Sequence, residues 1–183
     1  GQFSMHMWTS ITVGFIFAFP FILWEIWKFI SPALYDNEKK YAISFIIVSS
    51  ILFFLGVLFG YYLIAPLSVQ FFASYIVSPE ISNSIDIDSY MSLMKTSAIA
   101  SGLLFELPII IFFLTKIGLV TPEFLRKYRK YTLVIVLIVA AVITPPDVLS
   151  QIIVTIPIMI LYEASILISV LVVKSQEREK LKA

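Results

Sequence analysis

Residues 41–65 read YAISFIIVSSILFFLGVLFGYYLIA and contain no charged side chain. The stretch exceeds the roughly 20 consecutive apolar residues that an α-helix needs to cross the hydrocarbon core of a bilayer. A strand of a membrane barrel would alternate apolar and polar residues over about ten positions, whereas this stretch is apolar on nearly all sides. The stretch therefore predicts a membrane-spanning α-helix.

The composition of the whole chain agrees with this prediction. The 183 residues are 60% hydrophobic and 14% charged, and the mean hydropathy is +0.97. Soluble domains hold roughly 45–50% apolar and about 25% charged residues, so the composition indicates an integral membrane protein. A net charge of +1, without a face of clustered basic residues, argues against a nucleic-acid partner.

Apolar runs divided by charged residues or proline predict five spans in one all-α, polytopic transmembrane domain that covers residues 1–183. The predicted spans lie at about residues 7–30, 41–65, 96–115, 131–144 and 148–173. The fourth span has about 14 residues and covers only roughly 21 Å, so it ends early or lies in a locally thinned bilayer. We expect Pro66 to end the second helix, because proline lacks the N–H group that continues a helix.

The basic residues predict the orientation of the spans, because Lys and Arg near span ends remain on the cytoplasmic side. Of the 13 Lys and Arg residues, only Lys95 falls in the predicted outer cap of residues 66–95. The others lie in or beside the predicted cytoplasmic loops, 31–40 and 116–130, and the cytoplasmic tail, 174–183. The start of the chain is therefore expected outside and its C-terminus in the cytoplasm. Since the chain begins without a cleavable signal peptide, we expect a missing upstream span.

Glu106, within the third predicted span, is a candidate functional residue because an ionisable side chain at bilayer depth costs roughly 3 kcal/mol on insertion scales. It either hydrogen-bonds a neighbouring helix and fixes packing, or it faces a cavity or a transmembrane partner. Pro108 removes a helical hydrogen bond and predicts a bend close to Glu106. Glu163, in the last predicted span, poses the same question.

Residues 144–147, Thr-Pro-Pro-Asp, predict a tight outer hairpin between the last two spans. Asp147 either caps the last helix while Gln151 satisfies the backbone of the hairpin, or the two side chains share a helix face in a binding site. Near the first predicted loop, Glu25 precedes Lys28 by about one turn, which favours an ion pair.

Residues 29–38 read FISPALYDNE and place Asp36 and Glu38 at the membrane surface beside Phe29 and Tyr35. The two carboxylates either pair with the lysines that follow them or form a site for a cationic peptide. Carboxylates bind the Arg guanidinium bidentately, and aromatic rings stack on it.

Motifs for catalysis are absent from the sequence. It contains no His-Glu-x-x-His, no Gly-x-Ser-x-Gly and no glycine-rich phosphate loop. With no Cys and a single His, His6, these ligands cannot build a zinc site. We predict no enzymatic activity, no metal and no cofactor.

Four motifs, in this order along the chain, resemble TatC, the polytopic signal-peptide-binding subunit of the twin-arginine protein translocase. They are Trp27–Tyr35 followed by Glu38, then Phe105–Pro108, then Thr144–Asp147 with Ser150 and Gln151, and finally Leu161–Glu163. The resemblance covers the whole chain. It implies five spans of a six-helix, concave, glove-shaped fold whose first helix is absent here and whose last two helices are short.

The resemblance also implies a function and partners. TatC binds the Arg-Arg signal peptides of folded proteins at the cytoplasmic face of the bacterial inner membrane. Export is driven by the proton-motive force, without a nucleotide. The implied partners are the single-span subunits TatB and TatA, the signal peptides, further copies of the chain and membrane lipid.

Site residues are carried over by their positions in the motifs. Glu38 resembles the carboxylate that contacts the paired arginines, and the residues that shape its loop are Phe29, Pro32, Leu34 and Tyr35. Glu106 resembles the buried acid of the concave face. Thr144 and Gln151 match the polar positions where TatB or TatA docks. Asp147 and Glu163 are further candidates for residues that bind these partners. Pro20 corresponds to a helix kink, as does Pro108.

Two other hypotheses stay open at this point. In a proton-coupled secondary transporter, Glu106 and Glu163 would carry protons across the membrane. A purely structural membrane anchor would tolerate neutral substitutions at Glu38, Glu106 and Gln151.

Overall fold

The computed structural model describes residues 2–31, 42–75 and 86–181. Within these ranges the α-helices are α1 (Gln2–Ile30), α2 (Ala42–Phe59), α3 (Ala65–Ser74), α4 (Ile87–Leu104), α5 (Leu107–Lys116), α6 (Pro122–Lys127), α7 (Arg129–Ile143) and α8 (Val148–Lys180). In the described residues, four helical stretches are long and apolar enough to cross a membrane: Gln2–Phe29, Ile43–Ser74, Ile87–Lys116 and Val148–Arg178. The predicted all-α, polytopic transmembrane fold is confirmed.

The helix that begins with α2 does not end at Pro66, so this expectation is wrong. A π-helical turn, Gly60–Ile64, joins α2 to α3, and the N–H of Ala65 donates to the carbonyl of Gly60, five residues earlier. The π-helical turn shifts the hydrogen-bond register from i→i−4 to i→i−5 just before the proline. Pro66 therefore occupies the first turn of α3, where a residue without an N–H group is tolerated. The helix therefore continues to Ser74, within the segment predicted as outer cap.

The other helices also extend beyond the predicted spans. On the far side of the predicted cap, α4 begins at Ile87, nearer the start of the chain than the span expected at 96–115. The last helix, α8, has 33 residues and reaches Lys180 rather than residue 173. By contrast, α7 has only 15 residues, close to the predicted short span. At about 1.5 Å per residue, α7 is roughly 22 Å long and α8 roughly 50 Å.

The helices pack around three groups of buried apolar side chains. The first lies between α1 and α2 and contains Phe19, Leu23, Trp27, Phe45 and Phe53. The second joins the π-helical turn, α7 and the first half of α8 and contains Ile64, Val136, Ala140, Val154 and Ile158. The third joins α5, α6 and the middle of α8 and contains Ile111, Leu125, Tyr162 and Ile166. Consequently α8 packs against α7 along its first half and against α5 further on.

Small residues allow α2 and α4 to approach closely. A Cβ atom placed on Gly56 would lie 2.5 Å from the carbonyl oxygen of Ser101 and 2.7 Å from the Cα of Gly102. The Ser101 hydroxyl donates a hydrogen bond of 2.7 Å to the carbonyl of Gly56. This close contact between the helices, which we call the α2–α4 seam, fixes α2 against the helix that leads to Glu106.

Candidate functional site

Glu106 lies at the break between α4 and α5. The N–H of Glu106 donates to the carbonyl of Leu103, three residues earlier, and α5 starts at Leu107. Pro108 has no N–H to donate to the carbonyl of Leu104, so the regular hydrogen-bond ladder is interrupted where the sequence predicts a bend. The break turns the Glu106 side chain towards the interior of the bundle, where it is only 6% exposed.

The Glu106 carboxyl group connects α2 with the break. The hydroxyl of Ser49, on α2, donates a hydrogen bond to Oε2 of Glu106, and Ser49 is fully buried. The second oxygen, Oε1, is buried without a hydrogen-bond partner among the residues that the structure describes. One oxygen thus supports the helix-packing hypothesis, while the other keeps unused capacity to accept a hydrogen bond.

The hairpin between α7 and α8 is organised by Asp147. Oδ2 of Asp147 accepts hydrogen bonds from the backbone N–H of Ser150, at 2.9 Å, and from its hydroxyl, at 2.8 Å. This geometry confirms that Asp147 caps the last helix. The two bonds from Ser150, the backbone bond most of all, hold the pKa of Asp147 below its ordinary value.

Thr144 and Gln151 both bind backbone carbonyls of α7. The Thr144 hydroxyl donates to Ala140 at 2.8 Å, and Thr144 is buried. Nε2 of Gln151 donates to the carbonyl of Leu137 at 2.8 Å. Gln151 therefore ties α8 to the body of α7, and not to the turn at residues 144–147, where one of the two alternatives placed its bond. Gln151 thus links the two helices of the hairpin, whereas the bond of Thr144 closes the last turn of α7.

Glu163 forms an ion pair with Arg129. Nη2 of Arg129 lies 2.6 Å from Oε2 of Glu163, and the two side chains are 50% and 46% exposed. The pair joins the first residue of α7 to the middle of α8. Arg129 was not predicted as a partner of Glu163, although the two residues lie at nearly equal distances along the chain from the hairpin turn and so reach the same level of the two helices.

The predicted peptide-binding loop is described only in part. Phe29, at the end of α1, is 87% exposed. The predicted ion pair between Lys28 and Glu25 is confirmed at 2.7 Å. Four predicted site residues lie outside the described residues: Pro32, Leu34, Tyr35 and Glu38.

Glu106 has no hydrogen bond to the other predicted site residues that the structure describes. Neither carboxyl oxygen of Glu106 is hydrogen-bonded to the hairpin or to Glu163, since Oε2 binds Ser49 and Oε1 has no partner in the described part of the chain. Pro20 lies within α1, which runs as one helix from Gln2 to Ile30, and its kink stays a prediction. In residues 2–31, 42–75 and 86–181, no three His, Cys, Asp or Glu side chains are grouped so that they could hold a metal ion.

Comparison with known proteins places these features in one family. Residues 1–157 match the family model described as "Sec-independent protein translocase protein (TatC)". The chain is 47% identical over 176 residues to a TatC protein of Blattabacterium, covering 96% of this chain and 66% of that protein. It is 42% identical over 165 residues to TatCy of Bacillus subtilis, covering 90% of this chain and 65% of that protein.

The fold has a solved counterpart as well. A crystal structure described as the twin-arginine translocase receptor TatC in DDM is similar with a TM-score of 0.75 and 38% sequence identity. The similarity covers 91% of this chain and 74% of that chain. The chain thus spans about two thirds of the length of these curated relatives and three quarters of the solved structure.

Proposed function

Because the chain belongs to the TatC family of Sec-independent protein translocase proteins, we propose that it is the receptor and core subunit of a twin-arginine translocase. In this role it binds the Arg-Arg signal peptides of folded proteins at the cytoplasmic face of the inner membrane. It then recruits TatB and TatA, and the proton-motive force drives export. The C-terminus lies in the cytoplasm, and several copies of the chain assemble in the receptor complex.

The observation that carries the proposal is the buried carboxyl group of Glu106. Its Oε2 is bound to Ser49, whereas Oε1 has no partner within the described residues. A buried polar atom without a partner costs roughly 1–3 kcal/mol, so a membrane helix whose side chain inserts between the helices and donates a hydrogen bond to this oxygen would stabilise the complex. This supports Glu106 as a docking point for a single-span partner.

The region around Phe29 supports the peptide-binding part of the proposal. Phe29 is 87% exposed at the end of α1, directly before the predicted cytoplasmic loop that carries Glu38. An exposed aromatic ring stacks on a guanidinium group, and a carboxylate binds it bidentately. A charge-assisted hydrogen bond contributes about 1.5–3 kcal/mol, which gives a peptide with two arginines its selectivity over other apolar segments.

Photocrosslinking tests the role of Glu38. Glu38→Gln is expected to weaken crosslinks to an Arg-Arg signal peptide, while Asp36→Asn, the matched control two residues away, has a smaller effect. A Lys-Lys peptide is expected to crosslink less than the Arg-Arg peptide, because an ammonium group cannot form the bidentate pair. Equal effects of the two substitutions would remove Glu38 from its assigned role.

Export of a folded reporter tests the role of Glu106. Glu106→Ala removes both oxygens and is expected to reduce export and crosslinks to TatB or TatA. Ser49→Ala, the control, removes the internal hydrogen bond but retains the carboxyl group, so a smaller loss of crosslinks is expected. If Glu106→Ala leaves both readouts unchanged, the acid has only a structural role.

The transporter alternative gains no support from these observations. Glu163 is ion-paired with Arg129 at 2.6 Å, and Glu106 is bound to Ser49 on another helix. The two acids that this alternative requires therefore do not form a connected pair of proton carriers.

A further inference from the structure

The surface where α6 meets α7 combines aromatic rings with positive charges. We call it the α6–α7 patch, and its side chains, all of them exposed, are Phe124, Arg126, Lys127, Tyr128, Lys130 and Tyr131. Half of the Phe124 side chain is exposed, and Tyr131 is 54% exposed. Aromatic side chains that combine an apolar body with a polar tip are enriched where membrane helices meet the lipid headgroups.

The rings and the two lysines of the patch hold one another in place. The ring centroid of Tyr128 lies 4.5 Å from that of Phe124 and 5.7 Å from that of Tyr131. Nζ of Lys127 lies 5.8 Å from the centroid of the Tyr128 ring, and Nζ of Lys130 lies 5.2 Å from that of Tyr131. An ammonium group at such a distance is attracted by the face of the ring, so both charges are kept beside the rings.

The short helix that carries half of the patch is fixed to the bundle. The Thr121 hydroxyl accepts a hydrogen bond of 3.2 Å from the N–H of Phe124 and so caps α6. Leu125 is buried, and its carbonyl accepts a hydrogen bond of 2.8 Å from the hydroxyl of Tyr162 on α8. The patch therefore stands on a rigid part of the fold.

The positive charge of the patch is not neutralised by neighbouring acids. Arg129, beside the patch, is paired with Glu163. None of the three basic side chains of the patch itself forms an ion pair within the part of the chain that the structure describes. The sole acid in residues 122–131 is Glu123, at the start of α6. The patch thus carries a net positive charge.

The length of α7 determines the depth of the patch. This helix is roughly 22 Å long and packs against the first half of α8, which is apolar and long enough to cross a membrane. The hydrocarbon core of a bilayer is about 30 Å thick, so α7 is too short to carry its first residue beyond the headgroups. The patch, at the start of α7, therefore lies at the level of the lipid phosphates.

We propose that the α6–α7 patch binds the headgroup of an anionic phospholipid, with the phosphate at Lys127 and Lys130. The two ammonium groups supply the counter-charge, and the exposed rings match the boundary between headgroups and acyl chains. Basic clusters next to membrane helices attract anionic lipids in this way. An acidic protein segment is a poorer match, because it offers no apolar surface to the rings. The proposal rests on the position of α7 in the membrane and not on the proposed receptor role.

A single fluorescent probe tests the proposal, because the chain contains no cysteine. Val134, one turn after Lys130, is 54% exposed, and Val134→Cys in the full chain is labelled with bimane. The vesicles contain phosphatidylglycerol or phosphatidylcholine that carries a nitroxide on the fifth carbon of one acyl chain, which quenches a nearby probe. We expect a higher apparent affinity for phosphatidylglycerol, by roughly five-fold for each cation that binds the phosphate. The control site is Val142→Cys, 81% exposed at the other end of α7, where no such preference is expected.

Two matched comparisons test the charges and the rings. Lys127→Gln with Lys130→Gln is expected to abolish the preference reported from residue 134, whereas Lys174→Gln with Arg178→Gln, which removes the same charge from the end of α8, should retain it. Tyr131→Leu is expected to weaken the preference, and Tyr131→Phe, which keeps the ring, should not. Quenching by phosphatidylcholine should stay the same in all four proteins, since the probe site itself is unchanged.

Four results would overturn the proposal. The first is equal quenching by the two lipids at residue 134, and the second is an equal preference at residue 142. The third is a preference that persists without the two lysines of the patch. The fourth is release of phosphatidylglycerol from the probe site by a soluble oligoglutamate peptide but not by an oligoglutamine peptide of the same length, which would assign the patch to an acidic protein segment.

Discussion

Replacing Gly56 by alanine is expected to force α2 and α4 apart. The new Cβ would lie 2.5 Å from the carbonyl oxygen of Ser101 and 2.7 Å from the Cα of Gly102. Both are backbone atoms of α4, so no change of rotamer can relieve the overlap. Separation of the helices also weakens the hydrogen bond from the Ser101 hydroxyl to the Gly56 carbonyl.

The loss of unfolding free energy in Gly56→Ala has three contributions. Overpacking costs typically 1–3 kcal/mol, and the weakened hydrogen bond costs about 1 kcal/mol. Alanine offsets about 1 kcal/mol through its higher helix propensity. The net loss of about 1–3 kcal/mol lowers the melting temperature by roughly 2–12 °C, at about 2–4 °C per kcal/mol for a chain of this length.

The melting temperature of Gly56→Ala is measured in detergent by size-exclusion chromatography of samples heated to increasing temperatures. Gly14→Ala is the matched control, because a Cβ at Gly14 meets no atom within 4 Å, and its melting temperature should not fall. Export should fall in Gly56→Ala as well, since Ser49, the partner of Glu106, is on the displaced helix. A Gly56→Ala protein as stable as Gly14→Ala would refute the close packing of the α2–α4 seam.

Three further predictions concern α8 and its neighbours. Tyr162→Phe removes the 2.8 Å hydrogen bond from the buried Tyr162 hydroxyl to the Leu125 carbonyl. The variant should lower the free energy of unfolding, measured by denaturant titration, by about 0.5–1.5 kcal/mol, and an unchanged value would contradict that contact. Arg129→Glu and Glu163→Arg should each lower the melting temperature slightly, since a half-exposed ion pair contributes about 0.2–1 kcal/mol. The double variant, which reverses the pair, should restore the melting temperature, whereas additive losses would exclude the ion pair. The pKa of Asp147 is lowered in the folded protein, so its carboxylate stabilises the fold above its ordinary pKa, and this stabilisation is lost as the pH falls through the lowered pKa. When the melting temperature is measured against pH, Asp147→Ala should therefore show a smaller decrease at acidic pH than the parent protein. An unchanged decrease would count against the cap.

Features that depend on neighbouring residues in the chain could be predicted from the sequence. The helices follow from long apolar runs, and the ion pair between Glu25 and Lys28 follows from helical spacing. The cap at Asp147 follows from a short polar side chain before an apolar helix. In each case the interacting groups are within one turn of each other, so local geometry alone decides the outcome.

Features that depend on the register between distant helices could not be predicted. Ser49 and Ser50 are adjacent hydroxyl residues in an apolar helix, and the pattern does not indicate which one faces Glu106. The continuation of the helix past Pro66 depends on a π-helical turn, and Gly60, the first residue of that turn, packs closely against Ser97 and Ser101 of α4. Both outcomes are decided by the neighbouring helix.

Pro157 lies within α8, close to the boundary between the apolar cluster shared with α7 and the cluster shared with α5 and α6. Because proline has no N–H, the carbonyl of Ile153 lacks its usual helical partner and α8 can flex at this level without losing a backbone hydrogen bond. The last helix is therefore least constrained by its own backbone at the level where its packing partners change, and at that level its course depends on side-chain contacts with the neighbouring helices.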